Sequence, residues 1–443
     1  MQNISKLLLI LAMAGLMQAV HSVAASTDHR LAGSAVTLGI GFVLIVSWGV
    51  SKLFAQAGLP KLTGYMATGI LAGPFILAYL NDDVVVGLSQ VNGIAVALIA
   101  LTAGSEIDVR KMRPLLRAVG WISLIAVVGT AGLLWVTTFL IGGMFAFTRD
   151  MPTAEWAAIS GVIGVVVASG SPAVVVAIRA ETGADGALAR TVLGVVVLAD
   201  LVVILLFAIA SSIATTIASG HVDIDETLRG LAWELFGSIG IGTVVGMLLA
   251  IALRLLRRGG ADLFVLAVCL VAAEVGRRVH LDPLLLMLAA GMFVENAIGA
   301  GEKLRHAYED ASLPVFILFF TVVGASIRLD VLPLVMFPAV VLVLVRAAGL
   351  LVGTFVAARV AKAPEVVARY GGFGLLPQAG LANALAILVA RTFPVYGEQI
   401  AALLLGIVAL NAVLTPALFR VALVKSGEVG VAGEPAAQPA IAA

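Results

Sequence analysis

Two charged side chains lie deep inside long apolar runs of this chain. Asp200 follows the run 195–199, and no other charged residue lies within nine positions of it on either side. Arg346 lies inside a second apolar run, 343–349. If these runs span a membrane, an ionised side chain at their centre costs about 2.5–3.5 kcal/mol even on a permissive insertion scale. Each of the two side chains therefore needs a partner or a wet cavity.

Asp200 and Arg346 allow two interpretations. The first is a structural ion pair between them. The second is functional: burial disfavours the charged form of a carboxylate, so proton uptake and release at Asp200 become practical. The sequence favours a functional Asp200 and leaves the ion pair open.

The composition excludes a water-soluble fold. The chain has 443 residues, of which 61% are hydrophobic and 12% charged, whereas soluble domains are roughly 45–50% apolar. The net charge is +1, from 27 basic and 26 acidic residues, so no basic surface for nucleic acid is expected. The single cysteine, Cys269, excludes a disulfide framework and a thiol or zinc motif.

Thirteen apolar segments are predicted to span the membrane, which indicates an all-α polytopic membrane protein. They cover about residues 35–55, 61–80, 86–107, 117–146, 154–179, 187–217, 228–256, 261–279, 283–299, 310–328, 333–361, 370–391 and 397–423. Before them, residues 1–25 have the basic start, apolar core and small-residue end of a signal peptide; an uncleaved additional helix is the alternative. After them, residues 426–443 are rich in Gly, Ala and Pro and are predicted to form a disordered tail.

The loops predict the orientation of these spans. If the mature N-terminus lies outside, the basic clusters at 110–113, 254–258, 303–305 and 359–369 fall in the cytoplasm, as the positive-inside rule requires. The C-terminal tail is then cytoplasmic as well. A multi-pass protein of the cell membrane, in bacteria the inner membrane, is expected.

Two parts of the predicted transmembrane domain, about 35–425, are similar to each other in sequence. A shift of 222 residues matches Leu59, Leu62, Ala67 and Gly69 to four identical residues in the ninth span, namely Leu281, Leu284, Ala289 and Gly291. The shift equals seven spans, an odd number, so the two copies would have opposite polarity in the membrane. This predicts inverted repeats over about 35–217 and 261–423, joined by a linker helix at about 228–256, as in many secondary transporters.

Both repeats contain an interrupted helix at equivalent places. The fifth span contains Ser169-Gly170-Ser171-Pro172, and the twelfth contains Pro377-Gln378-Ala379-Gly380 followed by Asn383. Pro removes a backbone donor and Gly relaxes the backbone, so each motif is expected to break its helix. Two crossed, unwound helices would leave free backbone carbonyls at mid-depth, where a small cation can be held.

This pattern resembles the monovalent cation:proton antiporters of the sodium/proton exchanger type. The stretches that resemble the family are 59–74, 101–108, 319–324 and 375–380, and the resemblance covers about 36–423. It is closest to the second, bacterial branch, which includes potassium/proton exchangers. The resemblance implies a secondary transporter of Na⁺ or K⁺, not an enzyme, with a role in pH and cation homeostasis.

The resemblance also implies roles for individual residues. Asp200 would bind the proton and the cation in a mobile core domain, and Arg346 would balance charge. The core would move against a dimerisation domain, so a homodimer is expected. No cofactor, nucleic acid or regulatory nucleotide-binding domain is expected.

This chain departs from the family at two positions. Many relatives have an Asn or Asp where Ala199 precedes Asp200, and some have an acid at the position of Ser171. The cation's ligands would therefore be Asp200, the hydroxyls of Ser169 or Ser171, free carbonyls and water. These hard oxygens suit an alkali ion and not a transition metal.

One carboxylate that binds either a proton or a cation predicts an electroneutral 1:1 exchange. Two other functions remain open at this point. One is a carrier of the same architecture for an organic anion, in which Arg346 binds the substrate. The other is a membrane scaffold or sensor that transports nothing.

Overall fold

The computed structural model of the chain describes residue 15 and residues 32–430, except 146–147, 149–150, 220–228, 231, 256–257, 280, 328, 331 and 394. This part of the chain is helical and contains no strand, which confirms the predicted all-α fold class. Apart from residue 15, the predicted signal peptide lies outside the described residues. So does the tail beyond 430.

The described chain forms fifteen helices of ten or more residues, besides a short 3-10 helix at Gly142–Met144. They are α1 (Ala32–Gln56), α2 (Lys61–Ala72), α3 (Asp82–Glu106), α4 (Val109–Leu140, with a π-helical stretch at Ser123–Val128), α5 (Thr153–Ala168), α6 (Pro172–Thr182), α7 (Ala187–Ser219), α8 (Trp233–Leu255), α9 (Arg258–Arg278), α10 (Pro283–Ile298), α11 (Gly301–Ala325), α12 (Leu332–Ala361), α13 (Glu365–Gly374), α14 (Gly380–Thr392) and α15 (Gly397–Ser426).

Seven segments of the described chain are long and apolar enough to cross a membrane by themselves, or eight if the bent α3 counts as one span. The interrupted pair α5 and α6 counts among the seven. Other predicted spans appear as shorter apolar helices, such as α10 and α14. Each of these is shorter than the roughly 20 residues that a straight helix needs to cross a membrane. The count of thirteen spans stays a prediction.

The helices pack as two bundles. The first contains α1–α3 and α8–α11, in which α10 packs against α3 and α8, and α11 packs against α2. The second contains α4–α7 and α12–α15, in which α5 packs against α4 and α7, and α12 packs against α13 and α15. Both bundles therefore take helices from both halves of the chain.

Glycines allow close packing in the first bundle, at positions that the 222-residue shift relates. A Cβ on Gly69 in α2 would overlap the carbonyl oxygen of Thr321 in α11. A Cβ on Gly291 in α10 would likewise overlap the carbonyl oxygen of Leu101 in α3. In addition, α2 and α10 begin 222 positions apart. The inverted repeat itself stays a prediction, but these matched contacts agree with it.

The start of α7 is capped by a residue from the far end of the chain. The carboxylate of Glu428, two residues after α15, accepts hydrogen bonds from the N–H groups of Leu188 and Ala189, both at 2.8 Å. The N–H of Gly430 donates to the carbonyl of Thr182 at 3.0 Å. A negative group at a helix N-terminus is stabilising, so this contact fixes the helix that carries Asp200.

Candidate functional site

The first interrupted helix breaks where the sequence predicts. Helix α5 ends at Ala168 and α6 begins at Pro172. Ser171 is the N-cap of α6, and its hydroxyl accepts a hydrogen bond from Val174 N–H at 3.3 Å. Proline suits the first position of a helix because its missing donor has no partner there anyway. Ser169 instead donates its hydroxyl to the Val166 carbonyl at 2.8 Å.

The second interruption separates α13, which ends at Gly374, from α14, which begins at Gly380. Gln378 lies between them and reaches the first interruption: its Nε2 lies 3.3 Å from the Val166 and Val167 carbonyls and 3.4 Å from Ser169 Oγ. Its Oε1 accepts a hydrogen bond from Asn411 Nδ2 in α15 at 2.8 Å. Gln378 therefore ties the two breaks and α15 together.

Arg346 in α12 joins the ends of the two half-helices α5 and α13. Its Nε donates to the Val167 carbonyl at 2.7 Å, and its Nη2 donates to the Ser169 carbonyl at 2.7 Å. Its Nη1 and Nη2 also donate to the carbonyls of Leu376 and Leu375, at 2.7 and 3.2 Å. The side chain is completely buried. One guanidinium thus satisfies four carbonyls that the breaks leave without helical partners.

Asp200 lies in the middle of α7, and only 5% of its surface is exposed. Its Oδ1 is buried and has no hydrogen-bond partner among the described residues. The hydrogen bonds of Arg346 go to backbone carbonyls, and the described residues show no Asp200–Arg346 ion pair. Instead, Asp200 presents a buried oxygen that no described residue engages in a hydrogen bond.

Asp200 lines a cavity of about 580 Å³ between the two bundles, called here the Asp200 cavity. The second bundle contributes Ser171 and Pro172, at the start of α6, and Gly380, at the start of α14. The remaining walls are mainly apolar. A second cavity of about 450 Å³, called here the vestibule, shares Ile204, Asp282, Leu381 and Ala384 with it.

The charges at the two breaks are arranged by sign. The C-termini of α5 and α13, which carry partial negative charge, meet the Arg346 cation. The N-termini of α6 and α14, which carry partial positive charge, border the cavity that contains Asp200. Since each helix end is equivalent to about half an elementary charge, the carboxylate and the guanidinium each offset a pair of dipoles. The hydrogen bonds of Arg346 go to the ends of half-helices and not to Asp200, and its charge-balancing role stays a prediction.

On the opposite face of the molecule, contacts between the bundles close the gap. Arg179 Nη1 in α6 lies 2.6 Å from Glu106 Oε2 in α3. The Lys61 N–H at the start of α2 donates to both oxygens of Glu181, each at 2.9 Å. Arg420 in α15 donates to the carbonyl of Gly58. The bundles are thus in contact on this side, while the Asp200 cavity adjoins the vestibule on the other.

The ion pair of Arg179 continues within the second bundle. Its Nη2 lies 3.0 Å from Asp185 Oδ1, and Arg190 binds the same carboxylate. The hydrogen bonds from Arg190, together with the charge of Arg179, outweigh burial and hold the pKa of Asp185 below its usual range. This carboxylate is therefore a fixed anion that orients Arg179 towards Glu106.

The structure brings most of the residues predicted for the site together, but in two layers. Asp200, Ser171, Pro172 and Gly380 line the Asp200 cavity. Behind it lie Ser169, Gln378 and Arg346: Arg346 donates to the Ser169 carbonyl, and Gln378 Nε2 donates to Ser169 Oγ. Gly170 lies close to the second interruption, since a Cβ placed on it would be 4.0 Å from the carbonyl oxygen of Pro377. Asn383 lies in the first turn of α14, where its N–H donates to the Ala379 carbonyl at 3.2 Å.

Sequence reasoning missed Asn411 and Asp282. Asn411 is a buried polar residue in an apolar helix, a signal that was available. Asp282 is the N-cap of α10, and its local sequence, Asp-Pro before an apolar run, indicates only a helix start.

Apolar helices in two bundles, with two interrupted helices meeting beside a buried carboxylate, define a polytopic membrane transporter of the antiporter fold. The transmembrane sodium/hydrogen exchanger family matches residues 40–425, and the chain belongs to this family.

Two structures of the sodium proton antiporter MjNhaP1 from Methanocaldococcus jannaschii are similar to this chain. The structure at pH 8 is 16% identical, with 91% of this chain and 100% of that chain covered and a TM-score of 0.65. The electron microscopy structure is also 16% identical, with 90% and 96% covered and a TM-score of 0.68. At this identity the likeness shows a common fold.

Proposed function

We propose that this protein exchanges a monovalent cation for protons, with Asp200 as the group that binds both. Membership of the sodium/hydrogen exchanger family supports cation:proton exchange. The observation that carries the assignment to Asp200 is its buried Oδ1, which has no hydrogen-bond partner among the described residues, in a cavity between the bundles. A proton or a cation would satisfy that oxygen, and the two would compete for it.

The cation's ligands would be the oxygens nearest this cavity. They are the Asp200 carboxylate, the Ser171 hydroxyl and water, all hard ligands of the kind that alkali ions accept. Ser169, also predicted as a ligand, has its hydroxyl engaged with Val166 and Gln378, so its proposed part is to hold the break in shape. Na⁺ and K⁺ carry the same charge and differ in radius, so the choice between them depends on cavity size and must be measured.

The cycle would work by alternating access. With either ligand bound, Asp200 is locally neutral; empty, it leaves a charge in the bilayer that is costly to move. Only loaded states would cross, which couples the two ions. The contacts of Arg179 with Glu106 and of Glu181 with α2 would break as the second bundle moves against the first, and the vestibule would close.

A transport assay with three alkali ions, called here the ion panel, tests this function. We expect Na⁺, K⁺ or Li⁺ to dissipate a preformed proton gradient in everted vesicles that contain the protein, measured with a pH-sensitive dye at several pH values. Vesicles without the protein are the control. Failure of all three ions at every pH would contradict the proposal.

The stoichiometry gives a second expected result. For a 1:1 exchange, a tenfold cation gradient balances one pH unit, and the pH at which net flux stops does not depend on voltage. One uncompensated charge per cycle would be worth about 2.3 kcal/mol per 100 mV. If two protons were exchanged for one cation, that energy would move the reversal pH by roughly 0.8 unit per 100 mV. Measuring the reversal pH in proteoliposomes at two imposed voltages checks this, and a shift would rule out electroneutrality.

The organic-anion carrier gains no support from the site. Its substrate-binding group would be Arg346, but this side chain is completely buried and donates to four carbonyls. The scaffold hypothesis does not account for a buried unpartnered acid. Organic acids belong in the ion panel as a direct comparison.

We further propose a homodimer in the cell membrane that serves pH and cation homeostasis, with the mature N-terminus outside and the C-terminus in the cytoplasm. The family resemblance supports dimerisation, and the basic loops support the orientation. In this orientation the vestibule lies on the outer side, and the contacts made by Arg179, Glu181 and Arg420 lie on the cytoplasmic side.

A further inference from the structure

A second acidic side chain, Asp282, lines both the Asp200 cavity and the vestibule. It is held firmly: its Oδ1 accepts a hydrogen bond from Leu285 N–H at 2.8 Å, and its own N–H donates to Ser238 Oγ at 2.9 Å. A carboxylate offers about four lone-pair positions, so the helix cap does not exhaust it. Asp282 is thus a fixed acid where the two cavities meet.

The charged residues that line the two cavities share one sign. The charged residues of the described chain that line them are Asp200, Asp282 and Glu234, and all three are acidic. Hydroxyls of Ser211, Thr215 and Thr392 line the vestibule around them. A cleft lined by one sign of charge with apolar walls concentrates the opposite ion.

Asp282 and Asp200 belong to different bundles. Asp282 caps α10 of the first bundle, while Asp200 lies in α7 of the second. Independently of Asp282, the buried Asp200 Oδ1 has no hydrogen-bond partner among the described residues and faces a cavity that could hold one. Two carboxylates in one cavity repel each other when both are ionised, and a cation between them removes that repulsion.

We propose that Asp282 is a second, one-sided ligand for the transported cation: it receives the ion from the vestibule and stabilises it at Asp200 only while the vestibule is open. This inference rests on the proposed exchange function. When the second bundle moves and the vestibule closes, Asp200 leaves Asp282 behind. The cation affinity of Asp200 on the other face therefore owes nothing to Asp282.

The test is the Asp282→Asn variant, assayed in right-side-out and in everted vesicles. Asparagine caps helices as well as aspartate does, so α10 stays capped while the charge is lost. We expect the apparent KM for the cation to rise about five- to tenfold, the size of one Coulomb interaction in a wet site. The rise should occur only in the vesicle type in which the cation is supplied from the vestibule side, and the rate at saturating cation should stay that of the wild type. Asp282→Glu should restore most of the affinity.

Asp82→Asn is the matched control, since Asp82 is an exposed acid in the first turn of α3. It should leave both KM values unchanged. If wild-type protein exchanges cations but Asp282→Asn has normal KM on both sides, or an equal rise on both, the role of Asp282 is refuted and the exchange function stands. If wild-type protein does not exchange, both fail. Asp282→Ser, which also caps a helix, replaces Asn if that variant does not fold.

Discussion

The Asp200→Asn variant is expected to lose cation:proton exchange completely while it keeps its fold and its place in the membrane. Asparagine has nearly the same shape as aspartate but cannot ionise, so neither a proton nor a cation can be exchanged at this position. Removing a buried charge also removes its desolvation cost, so the variant should be at least as stable as the wild type. Dye-based exchange assays and thermal unfolding in detergent measure the two effects.

Asp82→Asn serves as the control here as well, because it removes an acid of the same kind from an exposed position. Its exchange rate should match that of the wild type. Residual exchange in Asp200→Asn above the level of empty vesicles would remove Asp200 from the ion-binding site.

The Arg346→Ala variant is expected to lose both stability and transport. It would leave the carbonyls of Val167, Ser169, Leu375 and Leu376 without their donor in the interior of the protein. A buried polar group left without a partner costs about 1–3 kcal/mol. Three of the four carbonyls are subject to this cost, because that of Val167 keeps Gln378 Nε2 at 3.3 Å. Thermal unfolding of the purified protein should show a large drop in Tm, and cation addition should no longer raise that Tm.

Two further variants separate position from charge. Arg346→Lys keeps the charge but lacks the planar fork of donors that reaches both half-helices, so it should be intermediate in stability. Arg359→Ala on the same helix removes an exposed pair with Glu365 at 2.9 Å, worth roughly 0–1 kcal/mol, and should behave as wild type. If Arg346→Ala has the Tm and the transport rate of the wild type, Arg346 does not hold the two interrupted helices together.

The sequence was sufficient for the features that depend on local composition. Long apolar runs predicted helices because a chain inside a membrane must satisfy its own backbone hydrogen bonds. Ser171-Pro172 predicted a helix start where the structure has one. The apolar surroundings of Asp200 and Arg346 predicted their burial. These signals lie within a few residues of the position concerned, so no long-range contact was needed to read them.

The sequence was insufficient where residues from distant segments meet. Arg346 binds carbonyls about 30 and 180 positions away, and carbonyls carry no side-chain signature that would reveal such a partner. Asp282 acts as a helix cap in its own segment, and only the fold, which places the start of α10 on the same cavity as α7 and α14, brings it there. The number of spans is also uncertain from sequence, because short and interrupted helices obey no fixed length.

Proton release on cation binding is the measurement that tests the central claim most directly. In weakly buffered detergent solution near the pH at which Asp200 is protonated, adding the transported cation to purified wild-type protein should release up to one proton per chain, since the two ligands share one carboxylate. Asp200→Asn should release none. Cation binding without proton release, or equal release from Asp200→Asn, would contradict a single carboxylate that serves both ions.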